Sequence, residues 1–316
     1  MGIDFFLVGG PKSGTTSIHQ YFMHHPEVFV PQCKEPNFYA SDLPNIRGRI
    51  SNHSDYKRLF DHKQKSKFIM GECSPTYLMS DAAHAEIYND HPEAKIIAIL
   101  RNPVDLFFSE HSQLLFSMYE DITDPLKAWK TQGKREHISE KQFFYKELKL
   151  LDYKKTCSHY HNVKKYLELF GEEKVLILLF DDIKSHDKFL KKICEFLKIE
   201  YLTNIPFESI NKRKTHNNNF LIRLLIHPRN KFLSKLHSWA RTLIATSNIQ
   251  LIRQLDTIAR YLISKLSKEE KIKISSNSWF KVYDDLKDEI ESVENLLGRK
   301  LPNWHLPPCQ RNNHTS

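Results

Sequence analysis

Short, bounded apolar runs recur through the chain: residues 4–9 (DFFLVG), 67–71 (KFIMG), 95–100 (KIIAIL) and 174–180 (KVLILLF). Runs of this length without polar alternation are what strands buried on both faces show. Between them the apolar positions shift to a three-to-four-residue spacing, which predicts helices over 14–24, 103–118, 140–170 and 187–197. Strand then helix, repeated, predicts an α/β fold with a parallel sheet covered on both faces. Ligands of such sheets bind beyond the carboxyl ends of the strands, so the turns after 4–9 and 95–100 are the first places to look for chemistry.

A different pattern fills residues 220–268. Apolar positions recur there at helical spacing (Phe220, Leu221, Leu224, Leu225, then Phe232, Leu233, Leu236, Trp239, Leu243, then Leu251, Ile252, Leu255, Ile258, Leu262, Ile263), with Lys and Arg between them. Two or three amphipathic helices are predicted, broken at Pro228 and turning at Ser247-Asn248. The segment carries nine Lys/Arg (223, 229, 231, 235, 241, 253, 260, 265, 268) against Asp256 alone, most of the chain's net charge of +9. Two readings stand: solvated scaffold helices, or a basic wall for an acidic glycan or an anionic membrane surface.

Composition sets the surroundings. With 316 residues and 40% hydrophobic content the chain can bury a large core. The five cysteines (33, 73, 157, 194, 309) are odd in number and form no C-x-x-C pair, which argues against a disulfide framework or a zinc knuckle and for a reducing compartment. No signal-peptide pattern and no uninterrupted apolar span is visible, so the expectation is a soluble, cytoplasmic protein, at most peripheral to the inner face of a membrane. Nothing suggests a nucleic-acid partner.

The turn after the first strand reads Gly9-Gly10-Pro11-Lys12-Ser13-Gly14-Thr15-Thr16-Ser17. A Walker A loop places its lysine just after the last glycine of G-x-x-x-x-G, where it reaches the β- and γ-phosphates. Here that position is Thr15, and the lysine stands two residues before Gly14. Opening a helix, Ser13 to Ser17 would present backbone N–H groups, a positive helix end and hydroxyls to one phosphate-like oxyanion, with Lys12 near the bridging oxygen of an anhydride. The strand 95–100 ends in Arg101, not a magnesium-binding aspartate, so ATP with Mg²⁺ is poorly served. Arg101 with Ser109 two helical turns later makes a second phosphate site, Pro103 suiting the first turn between them.

Taken in order, P-K-S-G-T-T-S (11–17), K-E-P-N-F-Y (34–39), G-E-C-S-P-T-Y (71–77), R-N-P-V-D-x-x-x-S (101–109), Y-L-E-L-F-G-x-E-x-V-L-I-L (166–178) and the closing L-L-G-R-x-L-x-x-W (296–304) resemble the sulfotransferases that use 3′-phosphoadenosine 5′-phosphosulfate (PAPS), above all the bacterial and carbohydrate branch. The resemblance covers about 1–215 and 280–305. It implies a three-layer P-loop-type fold, one domain over 1–316 with the basic helical insertion at about 220–268, and no metal. It also implies that Lys12, Ser13, Gly14, Thr15, Thr16 and Ser17 hold the 5′-phosphosulfate, Arg101 and Ser109 the 3′-phosphate, and Tyr160 the adenine. Cys157 departs from a usual glycine near that tyrosine, and Lys212 and Arg213 fall where a loop adds 3′-phosphate contacts.

Sulfuryl transfer needs a base on the acceptor hydroxyl or amine. By the same resemblance Glu35 is that base; Glu72, beyond the strand 67–71, and His111 are the reserves. The remaining histidines show no metal-ligand spacing. Glycan, glycolipid and small natural-product acceptors all fit. A nucleotide kinase would need lysine at 15, and a non-catalytic polyanion binder would leave Glu35 unexplained.

Overall fold

A computed structural model describes residues 2–46, 48–61, 68–117, 119–132, 147–207 and 274–311. Five strands, β1 (Phe5–Gly9), β2 (Val28–Phe29), β3 (Ile69–Cys73), β4 (Lys95–Leu100) and β5 (Val175–Leu179), form one parallel sheet in the order β2-β3-β1-β4-β5. β1, first in sequence, is central, which sends its successors to either side and opens a crevice at its carboxyl end.

Pleating divides each strand between two cores. Phe6, Val8, Ile96, Ala98 and Leu100 face α3 (Ala83–Asp90), α7 (His159–Phe170) and α9 (Ser276–Leu297). Phe5, Leu7, Ile97, Ile99 and Leu178 face α1 (Thr15–Met23) and α8 (His186–Leu197). Burial on both faces is why these strands read as unbroken apolar runs. A third cluster joins α4 (Pro103–Phe116), α5 (Pro125–Thr131) and α6 (Tyr153–Cys157) to the start of α9 through Phe107, Trp129, Tyr153 and Trp279. The short α2 (His53–Leu59) covers the β3 side with Tyr56 and Leu59.

The four expected strands are present, and the two-residue β2 at the sheet edge is additional. The helix expected over 140–170 is interrupted. A 3-10 turn at Leu148–Leu151 precedes it, the Asp152 carboxylate accepts the Lys155 N–H to start α6, and Ser158 separates α6 from α7. No helix among the described residues is long and apolar enough to cross a membrane. The basic segment 220–268, with Lys212 and Arg213 before it, lies outside the described residues.

Candidate functional site

The site grows from the end of β1. Its pairing with β4 slips in register between Leu7 and Gly9, after which the Gly10 N–H donates to the Ile99 carbonyl at 2.6 Å and pins the turn to β4. Gly14 caps α1 in the left-handed region, φ 78°. A Cβ there would stand 2.6 Å from Ile183 Cδ1 and 3.4 Å from the Phe180 ring, so glycine is required twice over, by backbone and by space. No side chain caps α1, so its first-turn N–H groups are turned to the loop, the arrangement that attracts an anion. Ser13, Thr15 and Ser17 are buried and Thr16 is half-buried.

Two cations converge on this loop. Lys12 itself has φ 57°, and its ammonium donates to Gln113 Oε1 on α4 at 3.1 Å. Arg101, at the end of β4, donates from a terminal nitrogen to the Lys12 carbonyl at 2.8 Å, with its guanidinium 4.9 Å from the centre of the Phe180 ring. The Arg101 carbonyl accepts from His159 Nε2 at 2.7 Å. Burial lowers the His159 pKa to about 4, with the carbonyl bond opposing, so the ring is neutral and donates as a fixed peg. Asn102 caps α4 on the N–H groups of Val104 and Asp105 and ties to the Trp304 carbonyl at 3.0 Å. Ser109 is buried two turns along α4. Tyr160 begins α7 beside His159; its N–H is held by Glu289 at 2.6 Å, and its ring is half-buried with the Lys164 ammonium 5.8 Å away.

Glu35 stands on the neighbouring strand end. Its N–H donates to the Cys73 carbonyl at 3.0 Å, which fixes the 31–37 loop to the tip of β3, and φ is 63°. The Glu35 side chain is exposed at the rim of the loop; partial desolvation of its carboxyl works to raise its pKa, but the Lys34 ammonium bonded to it, with Lys12 behind, holds it below the ordinary range. The carboxylate is therefore ionised at neutral pH. His19 on α1 steadies the loop by donating to the Pro31 carbonyl at 2.9 Å, and burial drops its pKa to about 4.

Neither reserve base faces the crevice. Glu72 is 0% exposed and collects the hydroxyls of Tyr56 (2.5 Å), Ser74 (2.6 Å) and Tyr77 (3.1 Å), with burial raising its pKa to about 7 against those bonds. It supports the loop from below. Ser74 Oγ also accepts the Asn37 N–H, and the Asn37 side-chain amide donates to the Glu35 carbonyl. His111 is buried against Phe107 and Tyr153 and bonds the Ile122 carbonyl at 2.8 Å. Each occupied a sequence position compatible with the cleft, but strand alternation and helix rotation turn both inward.

Sequence reasoning missed Phe180, Ile183, Gln113 and His159, and met Glu110 only as a departure from the family pattern that leaves the acceptor open. The first two follow β5 directly, and the rule that placed sites after β1 and β4 applies equally there. Gln113 and Glu110 share α4 with Ser109. Among the described residues no group of His, Cys, Asp and Glu could hold a metal ion.

A parallel sheet whose first turn leaves the N–H groups of α1 uncapped, with a strand-end arginine and a carboxylate at the adjacent strand end, has a P-loop-type α/β architecture. The family profile described as "Sulfotransferase domain" matches residues 3–238, and the chain belongs to that family. The match runs beyond residue 215, into the first part of the basic segment. Among curated proteins, the chain is similar to mouse "Carbohydrate sulfotransferase 15" (24% identical, covering 62% of this chain and 43% of the relative). It is also similar to human "Heparan sulfate glucosamine 3-O-sulfotransferase 6" (30% identical, over 34% of this chain and 30% of the relative). The chain thus spans about two-fifths of the length of the first of these. The crystal structure of a sulfotransferase from Alicyclobacillus acidocaldarius superposes with a TM-score of 0.65 at 21% identity, covering 96% of this chain and 99% of that one, which establishes the shared fold.

Proposed function

We propose that the chain transfers a sulfuryl group from PAPS to a hydroxyl or amine of a carbohydrate or glycolipid acceptor, with Glu35 taking the acceptor's proton. The observation that carries this reading is that Lys12, on the turn after β1, acts electrostatically on a carboxylate, Glu35, that Lys34 keeps ionised and backbone holds to the tip of adjacent β3. A loose, in-line transfer needs a cation and preorganised donors where charge collects on the peripheral oxygens, and a base on the opposite side of the moving group. The 11–17 turn and Lys12 suit the first role, Glu35 the second. Arg101, Ser109 and Tyr160 suit the nucleotide's non-reacting end, where binding energy orients the donor.

Two measurements test it. Titration calorimetry with 3′,5′-phosphoadenosine (PAP) in EDTA should show tight, metal-independent binding, and labelled PAPS should pass its sulfate to members of a panel of glycans, glycolipids and phenols. Binding that requires Mg²⁺, or a preference for ATP, would replace this reading with a nucleotide kinase.

A further inference from the structure

Buried carboxylates in this molecule are met by donors. Glu72 takes three hydroxyls, Glu120 takes the Tyr153 hydroxyl with the N–H groups of Asp121 and Ile122, and Glu294 takes the Leu301 N–H, Lys300 and His305. Glu110 differs. Its Oε2 is shut off from solvent and meets no donor among the described residues, although the residue as a whole is only half-buried. A buried acceptor without a partner is destabilising, and a carboxylate oxygen kept so beside a candidate site calls for a donor.

Its position says from where. Glu110 follows Ser109 on α4 and precedes by three residues Gln113, which holds the Lys12 ammonium. Residues three apart share a helix face, so Glu110 lies on the Lys12 side of α4. The charged groups acting on it are Lys12 and Glu35, from two different loops, and its own field reaches the buried Cys157 thiol on α6. Two carboxylates on separate elements therefore share the field of one ammonium.

Building on the sulfuryl-transfer reading, we infer that Glu110 is an acceptor-binding residue whose Oε2 receives a second hydrogen-bond donor of the acceptor, adjacent to the group that Glu35 deprotonates. The acceptor class that satisfies both carboxylates is a polyol or amino alcohol with neighbouring donors, as on a sugar ring; an isolated phenol or alcohol leaves Oε2 unpaired. Burial holds the Glu110 carboxyl near 7, Lys12 pulling it down and Glu35 pushing it up. A donor from the acceptor favours the ionised form, so acceptor binding tightens as pH rises through 7.

The test uses the full chain with labelled PAPS, methyl glycosides, their mono-deoxy analogues and a simple phenol. Glu110→Gln and Glu110→Ala should raise KM for the best glycoside by about 10–100-fold, the scale for a hydrogen bond to a charged group, with kcat and PAP affinity little changed. In both variants the wild-type preference for that glycoside over its deoxy analogue should vanish, together with the fall in KM between pH 6 and 8. Because Glu110→Gln removes an unpartnered buried charge, its Tm without ligand should equal or exceed that of the wild type. The inference is overturned by an unchanged KM in both variants, by a loss confined to kcat, by a lowered Tm in Glu110→Gln, or by a wild type that prefers the phenol. A wild type that binds no PAP and sulfates nothing would sink the sulfuryl-transfer reading itself, and this inference with it.

Discussion

The buried carboxyl under the Glu35 loop makes a stability prediction with a definite sign. Glu72 has an ordinary pKa of 4.5 and is raised to about 7 in the folded state, mainly by burial. The folded protein therefore binds more protons than the unfolded chain between those values, and stability must fall as pH rises through that window. A carboxyl moved from 4.5 to about 7 contributes about 3 kcal/mol of stability that is present below pH 4.5 and lost once pH passes 7. Glu72→Gln cannot ionise, so this share of the pH dependence disappears. Its amide offers one acceptor oxygen to the three hydroxyls of Tyr56, Ser74 and Tyr77, so at least one must turn away, at a cost of about 1–3 kcal/mol. The variant should thus be less stable than the wild type at pH 5, and by pH 8 the difference should move about 2–3 kcal/mol in its favour. Urea unfolding followed by tryptophan fluorescence at both pH values measures this. Glu110 and Glu289, also raised to about 7, titrate in both proteins and cancel in the difference. A gap that does not change with pH would refute the reasoning.

Three further variants probe the crevice. Lys12→Ala should slow transfer by roughly 10²–10³-fold in single-turnover assays, the scale for removing one preorganised donor, while circular dichroism shows the fold intact. Arg101→Ala removes the clamp on the Lys12 carbonyl and should weaken PAP binding by about 10–100-fold; wild-type affinity in calorimetry would remove Arg101 from the nucleotide site. Glu35→Gln keeps size but cannot take a proton, so turnover should collapse with PAP affinity little changed, and wild-type turnover would show that the base lies elsewhere.

How much was legible in the sequence depends on the range of the interactions involved. β1, β4 and β5 are continuous apolar runs because both their faces are covered, and that property is written locally. The turn at 9–14 was equally legible, since its glycines answer to backbone geometry. α9 was not anticipated, although Trp279, Val282, Leu286, Ile290 and Val293 recur at helical spacing; its long polar intervals masked the stripe. β2, with two residues, has no pattern to read and exists through its pairing with Ile69 and Met70. Glu72 and Glu35 look alike in sequence, each a glutamate in a short polar stretch near a strand end. Their environments separate them: Glu72 points into the pleat that Tyr56 and Tyr77 close, whereas Glu35 sits on a loop beside Lys34. That distinction is made by residues distant in sequence.

The chain's last described residues close onto its first site, and this has a consequence for the order in which the protein is made. Asn102, next to Arg101, waits for the Trp304 carbonyl 202 positions later, and Asp105 for Arg311, 206 positions later. At a synthesis rate of about 5–20 residues per second, that is an interval of roughly 10–40 s. Through most of it the side-chain NH2 of Asn102 and the carboxylate of Asp105 have only water, until Trp279, 174 positions on, brings its indole N–H to Asp105, though β1, β3 and β4 have already left the ribosome. A nascent chain can thus build most of its sheet early, yet the strand end bearing Arg101 is locked only once Trp304 and Arg311 have emerged.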